Sequence, residues 1–293
     1  MRTILALSVS LASISHASAW GFAAHRIVTE NAAAATPAGM TAFYKAGTQR
    51  LSDASIEPDS ILKDRDGERE KRRHYIDLDE LSSPPFRDLP FDEEKARAAY
   101  GDARVDAAGT LPWRILTVLG QLRDAFRKGD VEKIISRSGW LSHYVADAYQ
   151  PLHTTKNHDG QETCNEGVHL AFETDMIDLK KSLYRAETAV PASFVPEVIK
   201  EPRKFIFTEI LGSYELVDDV LSADTQAVAA VKKQRKSYYE ELERQVGPLA
   251  RRQMSRATAT VINLWYTAWF TAGRPELPQA LPARGAAFRG GRP

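Results

Sequence analysis

Between Pro112 and Arg127 the apolar residues Ile115, Val118, Leu119, Leu122 and Phe126 recur three or four positions apart. That period places them on one face of a helix, and no run of alternating apolar and polar residues offers a competing strand. Gly129-Asp130 opens a second helix over Val131–Tyr149, which must stop before Pro151. Further helices are expected over about Val168–Leu183, Lys204–Leu221, Ala227–Val246 and Leu249–Thr271. In the last of these Val261, Leu264, Trp265 and Trp269 form a broad stripe of the kind a packed core takes up. The acid- and proline-rich stretch Asp77–Asp92 reads as a long loop. The expected architecture is therefore all-α, with one domain over residues 20–272.

The two ends carry different signals. Met1–Ala19 has an early Arg2, an apolar run and Ala17-Ser18-Ala19, the small-x-small pattern of a secretory signal peptide. Cleavage after Ala19 makes Trp20 the first residue and exposes an α-amino group that can ligate a metal once deprotonated. The expected destination is periplasmic or secreted. Residues 273–293, rich in proline, glycine and arginine, read as a flexible tail. Past the signal no apolar run reaches the roughly 18 residues that span a bilayer. Lys and Arg together number 39, as do Asp and Glu, which argues against a strongly basic nucleic-acid clamp or a polybasic membrane anchor. A single cysteine, Cys164, cannot form an intrachain disulfide.

Histidine is scarce, and most of it sits at ligand spacing. His143 and Asp147 are i, i+4, so on a helix both project from one face about a turn apart. Pro151 then bends the chain and lets His153 approach from beyond the helix end. His169 and Glu173 repeat the i, i+4 spacing, and His74 follows Asp59 by fifteen residues. Imidazole nitrogen with carboxylate oxygen suits zinc, and no cysteine cluster competes for it. His158 lies in a turn-like segment, as an exposed or supporting residue.

The set Trp20…His25, Asp59, His74, His143-x3-Asp147-x5-His153 and His169-x3-Glu173 resembles the bacterial zinc-dependent phospholipases C and the related single-strand-specific zinc nucleases. The resemblance spans residues 20–173 and implies an all-α fold with three zinc ions at the bottom of a cleft. Carried over by position, Asp59, His74, His143 and Asp147 would hold one zinc, and His153, His169 and Glu173 a second. Trp20, through its amine and carbonyl, would hold the third with His25 and the bridging Asp147. Asp59 is also the candidate for orienting a hydroxide or accepting its proton.

Glu173 is what the phospholipases carry at that position, whereas the short Trp20–His25 spacing looks like the nucleases. The expected function is therefore an exported zinc-dependent phosphoric ester hydrolase of phospholipase C type, with a single-strand-specific endonuclease or 3′-nucleotidase as the alternative. A zinc-binding protein without turnover is the minor third. Expected substrates are a phospholipid head group or single-stranded nucleic acid and nucleotides, with no obligate protein partner. Lys63, Tyr75, Tyr144 and Asn157, all near ligand positions, are the candidates for substrate contact, and Arg72 and Arg73 flank the same segment.

Overall fold

The computed structural model describes residues 20–234 and 237–281, and these form helices, turns and loops with no strand among them. The expected signal peptide, residues 1–19, lies outside the described residues, as does the tail beyond residue 281.

At the centre is the helix Val131–Ala148. It forms an antiparallel pair with Leu111–Lys128, and the joint follows from two residues. Gly129 takes the left-handed conformation (φ 61°) that ends the first helix, and the Asp130 carboxylate accepts a hydrogen bond from Lys133 N to cap the second. Around this pair pack Phe22–Ala34, Thr48–Ala54 and the 34-residue helix Tyr238–Thr271. Val118, Leu122, Phe126, Leu141, Val145 and Trp265 are all buried in one continuous apolar cluster. The Trp265 indole donates to Ser138 O at 3.1 Å and stacks on Tyr44 with ring centroids 4.5 Å apart.

Several expected boundaries move. Lys204–Leu221 is not one helix: Pro202–Tyr214 ends, and Val217–Gln234 begins after a turn. Ala227–Val246 does not exist as a unit, because Tyr238 starts a new helix that runs through Pro248 to Thr271. Proline costs that helix one donor, but packing on both sides outweighs a local defect. Val168–Leu183 breaks at Leu179-Lys180, and Lys181–Glu187 follows as a separate helix. The 77–92 loop contains one helical turn, Leu78–Leu81. Residues 274–281 run back over the core: the Trp269 indole donates to Pro275 O at 2.9 Å, and Leu277 and Leu281 pack against apolar neighbours. No helix among the described residues is long and apolar enough to cross a membrane.

Candidate metal centre

Two of the carboxylates emphasised by the sequence sit in π-helical turns rather than α-helix. Asp59 lies in Pro58–Leu62 and Glu173 in Ala171–Asp175. A π turn adds a residue to the local period and rotates its side chains relative to the flanking helix, which is why such turns recur at functional sites. His143 and Asp147 lie on regular α-helix, and His153 follows in the 3-10 turn Pro151–Thr154.

These elements bring His25, Asp59, His74, His143, Asp147, His153, His169 and Glu173 together. Three groups within them have ligand atoms close enough to share an ion: His25/His143/Asp147, Asp59/His74/His143 and His153/His169/Glu173. In the first, His25 Nε2 is 3.5 Å from Asp147 Oδ1, and His143 Nε2 is 3.3 Å from Asp147 Oδ2. In the second, His74 Nδ1 lies 3.0 Å from His143 Nε2 and 3.6 Å from Asp59 Oδ1. In the third, His153 Nε2 is 3.1 Å from His169 Nε2 and 3.5 Å from Glu173 Oε2. Two ligands about 2.0–2.1 Å from a tetrahedral zinc are about 3.3–3.4 Å apart, so the spacings bracket what an ion requires.

Ring orientation follows from backbone carbonyls. His143 Nδ1 lies 2.7 Å from Ser55 O, His153 Nδ1 2.7 Å from His74 O, and His169 Nδ1 3.1 Å from His158 O. Each carbonyl accepts the Nδ1 proton, which leaves Nε2 as a lone pair aimed into the cluster. His74 is reversed: Nδ1 faces the cluster, and Nε2 faces Glu70 Oε1 at 3.9 Å.

The electrostatics are those of a place lacking a counter-charge. Burial, and then the charge on Asp59, raises the Asp147 carboxyl well above its ordinary range. Burial is also the main cause that lowers His25, His74, His143 and His153. For His169 burial lowers, but the adjacent Glu173 outweighs it and the net direction is upward. Within this cluster four buried atoms have no hydrogen-bond partner: both ring nitrogens of His25, His74 Nε2 and Asp147 Oδ1. Orphaned buried polar atoms are costly, and all four belong to residues of the groups that could hold an ion. Neutral imidazoles with free lone pairs beside buried carboxylates fit a divalent cation, whose charge reverses the penalty on each carboxylate.

Trp20 is pinned beside this cluster. Its buried indole donates to Ala146 O at 2.9 Å, one residue before Asp147, and packs on Phe172 beside Glu173. Gly21 N donates to Glu173 O at 3.2 Å, and a Cβ at Gly21 would stand 2.6 Å from Thr174 Oγ1. The N-terminal segment thus fastens the Asp147 helix to the Glu173 turn.

The candidates for substrate contact are placed differently from one another. Lys63 Nζ is paired with Asp59 Oδ1 at 2.9 Å. Tyr144 is fully buried behind His74 and His143, its hydroxyl bound to Glu70 and Arg114, so it has no surface to offer a substrate. Asn157 is spent inside its own loop, accepting from Glu162 N and donating to Thr163 Oγ1. Tyr75 is partly exposed, its hydroxyl 3.4 Å from Ala107 O.

Supporting residues escaped the sequence reading. Glu70 is fully buried beside His74, and the i, i+4 spacing in Glu70-Lys-Arg-Arg-His74 was a usable signal. Gln150 donates to Glu173 Oε2 at 3.2 Å. Asp79 holds the ligand loop by accepting from Thr155 Oγ1 and Lys156 N. Asp159 is a different case, since its place shortly after His153 already suggested that it orders this loop, and it accepts from His169 N at 3.2 Å. No sequence signal marks Gln150 or Asp79, whose partners are distant along the chain.

No protein-family model matches the chain. A curated relative, a probable serine protease of Bradyrhizobium tropiciagri, is 24% identical over 226 residues, covering 65% of this chain and 28% of that protein. This match overturns the expected function as an exported zinc-dependent phosphoric ester hydrolase, whether phospholipase C or nuclease, and its non-catalytic alternative, since the matched protein is named as a protease.

Proposed function

We propose that this chain is a metal-dependent hydrolase that uses the His/carboxylate cluster to activate water. The observation that carries the reading is the set of orphaned buried donors and acceptors around lone pairs whose orientation backbone carbonyls have already fixed. A divalent cation, zinc by the chemistry of the donors, supplies Lewis acidity and brings the pKa of water toward neutrality. The relative's name supports hydrolysis as the reaction class. Because the chain spans 28% of that protein, nothing narrower about its chemistry is carried over.

Three ions fit the donors. His143 has one nitrogen committed to Ser55 O, so its single free lone pair serves one ion. Asp59, His74, His143 and Asp147 would hold that ion, and His153, His169 and Glu173 would hold a second. His25 and Asp147 then supply two side-chain donors for a third, which needs further donors from the backbone of Trp20. The Trp20 amine exists only in a chain that begins there, so export and cleavage after Ala19 belong to the same proposal. The order of these residues along the chain, shared with the zinc-dependent phospholipase C and nuclease superfamily, supports the metal assignment but not a substrate.

Asp59, paired with Lys63 at 2.9 Å, would orient the attacking water and take its proton. Around the site, serine hydroxyls are bound elsewhere: Ser142 to Thr29, Ser138 to Tyr44, and Ser55 to Ser52 O. The nucleophile in this reading is water, not serine.

The test is hydrolysis of a panel of peptide, carboxylic ester and phosphate ester substrates, before and after chelation, alongside labelling by a serine-directed fluorophosphonate. Turnover lost on chelation, restored by zinc, absent in His143→Ala and accompanied by no labelling is expected. Full turnover by metal-free protein, or stoichiometric labelling that abolishes activity, would overturn the proposal.

A further inference from the structure

Next to Tyr144 and Glu70, which contact Arg114 and Arg73, lies a cavity of about 340 Å³. Five guanidinium groups line it, from Arg69, Arg72, Arg73, Arg97 and Arg114, against the two carboxylates of Glu93 and Asp106. Arg97 is bound to both of those carboxylates, and Arg73 and Arg69 are held from behind by Glu70 and Asp66. The other two are different. Arg72 comes no nearer than 3.9 Å to Asp106. Arg114 donates to the Tyr144 hydroxyl at 3.1 Å, while its Nε is buried with no partner.

Arg114 is also fixed in place. Its guanidinium lies over the Tyr144 ring at 4.9 Å and near the Trp140 ring at 6.0 Å, so little freedom remains for it to lose on binding a ligand. Beyond the Tyr144 hydroxyl no acceptor among the described residues meets this guanidinium, which lines the cavity with donors to spare.

We infer that this cavity is an anion site, distinct from the metal centre, that takes a phosphoryl group or free phosphate between Arg72 and Arg114. A tetrahedral oxyanion presents several acceptors and matches the planar fork of each guanidinium, which is the geometry arginine recognises best. The excess of positive charge in the lining favours a dianion over a monocarboxylate. Thr117 stands at the same cavity on an exposed turn of the Leu111–Lys128 helix, so a charge can be introduced there without disturbing the core.

The experiment is titration calorimetry on the metal-loaded protein, freed of excess metal, with inorganic phosphate and separately with phosphoserine. Binding by the parent protein, weakened about tenfold or more in Arg72→Gln and in Thr117→Glu at unchanged metal content, is expected; tenfold corresponds to about 1.4 kcal/mol. Thr117→Glu tests the site even if Arg72→Gln disturbs its neighbours. Tighter binding of phosphoserine would identify a phosphoryl group on a larger molecule as the ligand, and tighter binding of phosphate the free ion. No binding to the parent protein, or equal binding by both variants, which would place phosphate on the metal centre, overturns the inference. These outcomes are read without activity, so they stand or fall apart from the hydrolase proposal.

Discussion

At the residue scale, the proposed centre would depend on groups that never touch an ion. Glu70 faces the outer nitrogen of His74 and is itself held by Arg73 and Tyr144. At 3.9 Å the Glu70 carboxylate acts on the imidazole through its charge rather than a hydrogen bond, and loss of such an outer partner typically costs about 10–100-fold in metal affinity. Glu70→Gln should therefore weaken zinc binding by about that factor while leaving the fold intact, as competition against a chelating dye would show; unchanged affinity would remove Glu70 from the site. Asp77 makes a separate case. Burial, then the nearby Asp79 and Glu80, pushes its carboxyl up to about 8 from an ordinary value near 3.8. Its native pKa is raised, so its contribution to stability is full below pH 3.8 and falls as pH rises toward 8. Asp77→Asn should be more stable than the parent, with a gap that widens from pH 4 to pH 8 in urea unfolding. A gap independent of pH would contradict this.

At the element scale, the close approach of two helices sets the His143 ring. Gly139 leaves the Val131–Ala148 helix without a side chain where it crosses the end of Thr48–Ala54: a Cβ there would stand 2.8 Å from the Ala54 carbonyl carbon and 2.9 Å from Ser55 N. Ser55 O is the acceptor that orients His143. Gly139→Val should force the helices apart, cost about 1–3 kcal/mol in stability and weaken zinc binding through the displaced carbonyl. If thermal unfolding and zinc titration of this variant matched the parent, this packing would not position the ligand. The element scale also marks the limit of sequence reading. Apolar periodicity located Leu111–Lys128 and Val131–Ala148 to within a residue or two, because the first has an apolar stripe and the joint between them is marked by Gly129 and the capping Asp130. It merged Pro202–Tyr214 with Val217–Gln234, since a two-residue turn without glycine or proline leaves the pattern nearly unbroken. It also missed the π turns at Asp59 and Glu173, which are decided by tertiary contacts and leave no mark in local composition.

At the scale of the whole molecule, an all-helical frame brings residues from 25 to 173 into one buried cluster. The ligand types and spacings were legible in the sequence because chemistry restricts them to histidine and carboxylate at turn-length intervals. The surroundings were not. Tyr144 and Asn157 sit beside cluster residues along the chain, yet the Tyr144 hydroxyl is taken up by Glu70 and Arg114 and the Asn157 amide by its own loop, partners that local sequence does not reveal. What the sequence suggested about substrate rested on resemblance alone, and the similarity to a protease corrected it.

The central claim is that this cluster is a multinuclear metal centre, and anomalous X-ray scattering at the zinc edge, on crystals of protein beginning at Trp20, tests it most directly. Three peaks are predicted: beside His143 Nε2 and His74 Nδ1, between His153 and His169, and beside His25 and the Trp20 backbone, each about 2.0–2.2 Å from its ligands. Absence of anomalous density at all three positions after equilibration with zinc would contradict it.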